Sequence, residues 1–141
     1  MHGEFVTFEQ ALALKGLGLD ERSFCYYDMD GTLWQMGIPM TPNYEPMFGL
    51  FNPRLNPDLV CAPTYQQAFS WLRKKNKVHG EVMLIKGNSY TWECYKISDE
   101  PQIGVSRLTA HESMSSNQFD SYEEAESVCL DKLIELLKDN K

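Results

Sequence analysis

The segment from residue 37 to residue 63 limits how this chain can fold, because six of the seven prolines lie in it. Proline fixes its own φ angle and donates no backbone hydrogen bond, so regular structure is not expected to persist there. The six are Pro39, Pro42, Pro46, Pro53, Pro57 and Pro63. Large apolar side chains also lie in this segment, and disordered linkers are usually poor in them. They include Tyr44, Met47, Phe48 and Phe51. The sequence therefore predicts a long loop that packs on the body of the protein.

The length and hydrophobic content predict a single domain spanning 1–141. With 141 residues and 43% hydrophobic composition, the chain can form one compact domain, which we favour, or two small lobes that share a core. The proline-rich loop separates a helix and hairpin at 1–36 from a second part at 64–141. The formal net charge of −7 would repel a polyphosphate, which argues against nucleic acid as a partner of the whole surface. A local basic patch that binds nucleic acid is still an open alternative.

The cysteines indicate the compartment in which the protein works. They show no Cys-x-x-Cys spacing, and each lies inside or beside an apolar run, as reduced core cysteines do. They are Cys25, Cys61, Cys94 and Cys129. No apolar run approaches the roughly 18 residues of a membrane span, and the first residues do not resemble a secretion signal. The sequence therefore predicts a cytoplasmic protein without disulfides and without a membrane span.

Periodic apolar residues predict helices around short strands, and hence an α+β fold class. Thr7 is expected to cap the first helix, with Gln10 reaching back as in a capping box. The predicted order is a helix at 8–16, a β-hairpin at 24–36, the long loop, a helix at 64–76, strands at 82–85 and 90–97, a weaker third strand at 105–110 and a helix at 121–138. We expect the second and third helices to cover one face of this two- to three-stranded antiparallel sheet.

The stretch "FCYYDMDGTLW" predicts the hairpin, because an Asp-Gly pair between aromatic and apolar residues is typical of a type I′ turn. With Asp30 and Gly31 at the two central turn positions, Tyr27 would face Trp34 across the strands. Such an aromatic pair stabilises a hairpin by a few tenths to about 1 kcal/mol.

The same residues raise an enzymatic alternative, because Asp28 and Asp30 have the spacing of the nucleophile loop in haloacid-dehalogenase-type phosphatases. That chemistry also needs a lysine for the phosphoryl oxygens and an acidic pair that completes a Mg²⁺ site. Lys86 followed by the acidic pair at 99–100 is the only candidate in that order. A hairpin turn explains the Asp-Gly pair without the missing parts. We therefore favour a non-enzymatic protein without metal or cofactor.

The only concentrated positive charge lies at the end of the second predicted helix. It consists of Arg73, Lys74, Lys75 and Lys77. The surrounding order of helix, two or three strands and helix is that of double-stranded-RNA-binding folds, so a nucleic-acid-binding module is an alternative function. A helix C-terminus also attracts cations through its dipole, which explains the cluster without a ligand.

A helix opening of Ser or Thr, an aromatic residue, two Glu or Gln residues and Ala occurs three times, at 7–11, 64–68 and 121–125. Consecutive copies start 57 residues apart. An internal duplication would produce this spacing, and a general preference for such capping chemistry would produce the openings. Both explanations stay open, because the segments do not match outside these five residues.

Three stretches, "FEQALALKGLGLDERSFCYYD", "APTYQQAFSWLRKKNKV" and "YEEAESVCLDKLIELL", together resemble small uncharacterised proteins of Bacteroidetes and their phages and mobile elements, usually called hypothetical. The resemblance covers most of the chain apart from the proline-rich loop and 99–118, and it implies no activity or site. The leading hypothesis is a non-enzymatic accessory or binding protein that acts through a protein partner or self-association. Its predicted partner surface is an apolar patch formed by Tyr44, Met47, Phe48 and Phe51.

Overall fold

Three helices and two antiparallel sheets make up the part of the chain that the computed structural model describes. That part comprises residues 4–21, 23–35, 38–39, 57–97, 105–107 and 118–139. The predicted α+β class is confirmed. By its contacts the chain divides into two compact units, Met1–Thr64 and Tyr65–Lys141, and the single domain stays a prediction.

The first unit begins with helix α1, Phe8–Gly16, whose predicted capping box is confirmed. The hydroxyl of Thr7 accepts a hydrogen bond from the backbone N of Gln10 at 3.1 Å, and the Gln10 side chain accepts one from the Thr7 backbone N at 2.9 Å. These bonds satisfy amide groups that have no partner within the helix. Leu17 is the C-cap residue of this helix, and Gly18 follows with φ of 105°.

Four short strands form the sheet of the first unit. They are β1 (Cys25–Tyr27), β2 (Leu33–Gln35), β3 (Ile38–Pro39) and β4 (Val60–Cys61). Their order across the sheet is β3-β2-β1-β4, and all pairs are antiparallel. The hydroxyl of Tyr27 donates a 2.6 Å hydrogen bond to the Val6 carbonyl. The most deeply buried apolar residues here are Val6, Ala11, Leu14, Cys25, Val60 and Ala62.

Two of these strands lie inside the segment for which we expected no regular structure. The prediction that 37–63 contains only loop is therefore wrong at its two ends, where β3 and β4 pair with neighbours in the sheet. Pro39 is compatible with β3 because that strand is at the edge of the sheet, where a missing N–H need not break the ladder. Residues 40–56 lie outside the described residues, so the packing of that part of the loop stays a prediction.

The predicted hairpin is present, but its register differs by one residue. Tyr27 lies opposite Leu33, and Tyr26 lies opposite Trp34. The expectation that Tyr27 faces Trp34 is therefore wrong. The connection is a three-residue loop at 29–31 instead of a two-residue turn, and a shift of one residue exchanges the faces on which side chains stand.

Local hydrogen bonds explain the longer loop. The backbone N of Asp28 donates to the Thr32 carbonyl, and the N of Gly31 donates back to the Asp28 carbonyl, both at 3.0 Å. Gly31 has φ of 81°, whereas Asp30 has no positive φ, which a type I′ turn would require at both positions. A turn that starts at Asp28 and ends in a left-handed glycine is the standard three-residue solution.

The second unit has the predicted order of helix, three strands and helix. Its elements are α2 (Tyr65–Asn76), β5 (Val78–Lys86), β6 (Ser89–Ile97), β7 (Val105–Arg107) and α3 (Tyr122–Asp139). The sheet order is β5-β6-β7, and each neighbouring pair is antiparallel. β5 starts four residues before the predicted strand at 82–85. The connection from α2 consists of Lys77 alone, whose positive φ of 56° turns the chain directly into the strand.

Both helices pack on one face of this sheet, as predicted. A Cβ atom built on Gly80 of β5 would lie 2.7 Å from Phe69 of α2, 2.7 Å from the Cys129 sulfur of α3 and 2.9 Å from Leu133 of α3. The residues of this core that are fully buried are Ala68, Leu72, Cys94, Ala125, Cys129, Leu130 and Leu133.

The three similar openings all start helices, at Phe8, Tyr65 and Tyr122. The hydroxyl of Ser121 accepts a hydrogen bond from the Glu124 backbone N at 3.2 Å, which repeats the cap seen at Thr7. Capping chemistry therefore accounts for two of the openings directly. The internal duplication stays a hypothesis.

Candidate functional site

The carboxylate of Asp28 is used to hold the hairpin loop. One oxygen, Oδ1, accepts hydrogen bonds from the backbone N atoms of Asp30 at 2.9 Å and Thr32 at 3.0 Å. The other, Oδ2, accepts one from the Trp34 indole N at 2.8 Å. These bonds, led by the one from Thr32, lower the pKa of the Asp28 carboxyl. A hairpin loop also differs from the parallel strand end that a phosphatase nucleophile needs, and the acidic pair at 99–100 lies outside the described residues.

The bonding of Asp28 predicts a pH-dependent contribution to stability. We expect Asp28→Asn to be less stable than the parent at pH 7, because an amide cannot accept on both sides. The lowered pKa means that the carboxylate contributes fully above its unfolded pKa of about 3.9 and loses this contribution as pH falls through the folded pKa. Urea unfolding should therefore show a larger difference between the two proteins at pH 7 than at pH 2.5. Equal stability at pH 7, or Mg²⁺-dependent aryl phosphate hydrolysis that the variant loses, would contradict this role.

The basic cluster does not form a single patch. Arg73, Lys74 and Lys75 are consecutive in the last turn of α2, so their side chains fan around the helix axis. Lys74 and Lys75 are exposed, as is Lys77 in the connection to β5. Arg73 is half-buried and lines a groove. The predicted partner surface formed by Tyr44, Met47, Phe48 and Phe51 lies outside the described residues.

The groove has a volume of about 380 Å³ and lies within the second unit. One side of α2, two residues of β5 and the first turns of α3 form it. Its lining residues are Gln66, Phe69, Ser70, Arg73, Gly80, Val82, Tyr122 and Glu126. The lining combines two aromatic rings and a valine with four polar or charged side chains, so it offers both apolar contact and hydrogen-bonding groups. Except for Arg73, sequence reasoning did not assign a binding role to these residues. Their spacing in the sequence does place them on shared faces, with 66, 69, 70 and 73 at i, i+3, i+4 and i+7 and 122 and 126 at i and i+4.

Burial and nearby negative charge raise the pKa of two groups that line the groove. Burial first, and then the charge of nearby Glu126, raise the pKa of the Tyr122 hydroxyl. Burial, followed by the charge of Glu123, raises the pKa of the Glu126 carboxyl. Tyr122 also packs edge-on against Tyr90, with ring centroids 6.0 Å apart. This end of the groove is therefore aromatic and acidic.

β5 forms an edge of its sheet, since no strand among the described residues pairs with its outer side. Gly80, Val82 and Leu84 alternate on the helix-covered face, and Leu84 remains 62% exposed. A register shift between Leu84 and Lys86 brings Lys86 opposite Ser89. Exposed strand edges present unpaired N–H and C=O groups to other chains. The edge and the groove beside Val82 together form the candidate interaction site.

Each unit contains two buried thiols. Cys61 of β4 lies opposite Tyr26, the residue that follows Cys25 on β1, and both thiols are free. Cys94 and Cys129 are free and fully buried on either side of the contact at Gly80. Burial, followed by the neighbouring Cys61, raises the pKa of Cys25 to about 11. A hydrogen bond to Cys94, followed by burial, raises the pKa of Cys129.

The buried thiols predict slow thiol chemistry in the native protein. We expect an aromatic disulfide reagent at pH 8 to leave all four cysteines unmodified over minutes, because the reagent must reach the sulfur atoms and all four side chains are buried. Denaturation should release four reactive thiols at once. Rapid native modification of Cys25 or Cys61, located by mass spectrometry, would contradict this expectation.

Within the described ranges, His, Cys, Asp and Glu side chains form no group of three or more that could hold a metal ion. None of the helices that the structure describes has the length and apolar character needed to cross a bilayer.

Comparisons with known proteins add no assignment to this geometry. No protein-family model matches the chain, and neither the curated proteins nor the solved structures yielded a match.

Proposed function

We propose that this chain is a non-enzymatic binding protein that acts through contact with another protein surface. The observation that carries the proposal is the nine-residue edge strand β5, with exposed Leu84 and the adjoining groove. A strand edge that no described strand covers, next to a groove of mixed polar and aromatic lining, offers main-chain hydrogen bonds for affinity and side-chain pockets for specificity. The occupant therefore contributes an extended segment.

The cellular setting is part of the same proposal. The four free, buried cysteines fit a reducing compartment, so we place the protein in the cytoplasm. The resemblance to small proteins of Bacteroidetes and their phages supports an accessory role in a phage or mobile element.

A matched pair of variants tests this function. Leu84 on β5 is 62% exposed and Leu12 on α1 is 42% exposed, so Leu84→Gln and Leu12→Gln remove the same exposed group at two places. We expect the parent and Leu12→Gln to retain a protein from host lysate or to self-associate, and Leu84→Gln to lose that ability. The proposal fails if nothing binds to the parent, or if all three proteins bind equally.

Nucleic-acid binding is the second candidate function. It is favoured by the order of helix, three strands and helix, with Lys74 and Lys75 exposed in the last turn of α2 and Lys77 exposed just after it. The start of α3 opposes it, because Glu123 and Glu124 occupy the positions at which a helix N-terminus would hold phosphate.

Electrophoretic shifts with double-stranded RNA and DNA at low salt test this candidate. If it holds, binding should fall steeply with salt, and Lys74→Glu with Lys75→Glu should weaken binding to all sequences alike. Absence of any shift at micromolar protein would exclude it.

A further inference from the structure

We propose that β5 pairs with β5 of a second copy of this chain, antiparallel and related by a two-fold axis at Met83. The two three-stranded sheets would then join edge to edge. The inference rests on the proposed protein-binding function and assigns its partner. An interface of this symmetry must be self-complementary, so that each residue of one copy meets a suitable residue of the other.

The helix-covered face of β5 supports this register. Residues that lie directly opposite in an antiparallel pair stand on the same face. Centring the pair on Met83 places Val82 of one copy opposite Leu84 of the other, twice by symmetry. Leu84, which is 62% exposed in one copy, would then lie against an apolar partner.

The other face of β5 carries complementary charges. The register shift after Leu84 brings Lys86 opposite Ser89, while Glu81 lies opposite Glu93. Ser89 and Glu93 are four residues apart on β6, so Lys86 and Glu81 stand on the same face. By residue count, the pair centred on Met83 places Ile85 opposite Glu81. Ile85 has no partner on β6 because it is the extra residue of the register shift, so we assign the paired site opposite Glu81 to Lys86. Both ends of the pairing therefore join opposite charges.

A neighbouring register is less complementary. Centring the pair on Val82 would place Leu84 opposite Gly80 and Glu81 opposite Met83. The first contact offers no side chain to cover the leucine, and the second removes a carboxylate from water beside an apolar group. Both charge and apolar pairing thus favour the register centred on Met83 over the one centred on Val82.

The groove supplies space for the second copy. Val82 lines it together with Phe69 and Tyr122, and the pairing places the partner copy's leucine beside Val82. An apolar side chain at the mouth of the groove would contact these aromatic rings, which adds side-chain burial to the main-chain hydrogen bonds.

Charge reversal provides the test. We expect sedimentation at about 100 μM protein and physiological salt to show a dimer, since a complex with a micromolar Kd would be largely formed. Glu81→Lys or Lys86→Glu alone should weaken the dimer by about tenfold or more, because each puts like charges opposite each other at both ends. The double variant should regain parental dimerisation.

The same variants separate association from folding. Glu81 lies opposite Glu93 within one copy, so Glu81→Lys replaces a like-charge pair by an opposite-charge pair. We expect the midpoint of unfolding of this monomer to be unchanged or raised while its dimerisation constant is weakened, which a sedimentation series from about 1 to 100 μM protein measures. Leu84→Gln should also abolish the dimer, whereas Leu12→Gln should leave it intact.

Each outcome has a distinct meaning. A monomeric parent overturns self-pairing, but the binding function stands if the parent retains a lysate protein that Leu84→Gln does not. A monomeric parent that binds nothing overturns both proposals. A dimer that the single charge reversals do not weaken, or that the double variant does not restore, overturns pairing about Met83.

Discussion

Gly80→Ala should destabilise the protein by about 1–3 kcal/mol, although it adds only one methyl group. That methyl would lie 2.7–2.9 Å from Phe69, Cys129 and Leu133. Cys129 and Leu133 are fully buried, so their side chains cannot move outward to make room. The methyl group therefore separates α2 and α3 from β5, and the packing around the fully buried Leu72 and Leu130 loosens with them. Urea unfolding monitored by circular dichroism measures the loss.

Gly16→Ala is the matched control for this result. Gly16 ends α1, has no positive φ and has no atom within 4 Å of the built methyl. The same substitution should therefore leave stability unchanged or raise it slightly, because alanine loses less backbone entropy on folding than glycine. Similar stability of the two variants would contradict the close packing at Gly80.

Gly31→Val should destabilise the hairpin by about 1–2 kcal/mol for a different reason. Gly31 has φ of 81°, and a β-branched residue adopts that conformation only with strain. Space is not the limit, since the built Cβ lies 3.5 Å from the Phe8 ring, which is an ordinary contact distance. The measured quantity is again the free energy of unfolding in urea.

Gly31→Asn tests whether the backbone conformation or the size of the new side chain causes the loss of stability at this position. Asparagine is tolerated in the left-handed region far better than valine, although it is no smaller. We expect the asparagine variant to retain most of the stability that the valine variant loses. Equal losses would show that steric contact with Phe8, and not the positive φ, sets the cost.

Local chemistry made several elements predictable. The hydroxyl groups of Thr7 and Ser121 each accept a hydrogen bond from a backbone N three residues further along the chain. Both helix starts could therefore be inferred from residues that are close in the sequence. The strand at Ser89–Ile97 was also predictable, because its apolar and polar residues alternate. The order of helix, strands and helix after the proline-rich segment follows from these local signals.

The hairpin register was decided by competing local bonds that a turn motif alone does not show. "DG" is compatible with a two-residue turn, but the Asp28 carboxylate holds the N atoms of Asp30 and Thr32 and so extends the loop. Similarly, prolines in 37–63 argued against strands, and only the edge position of β3 shows why Pro39 is tolerated.

The sequence by itself determined the helices, the α+β class and the buried character of the cysteines, because these depend on periodicity and on contacts within a few residues. Tertiary structure alone decided that both helices meet the sheet at Gly80, that the thiols of Cys94 and Cys129 lie together, and that the edge of β5 borders a groove. Each of these features joins residues far apart in the chain. Their proximity depends on the energy of packing the whole core, which no short stretch of sequence contains.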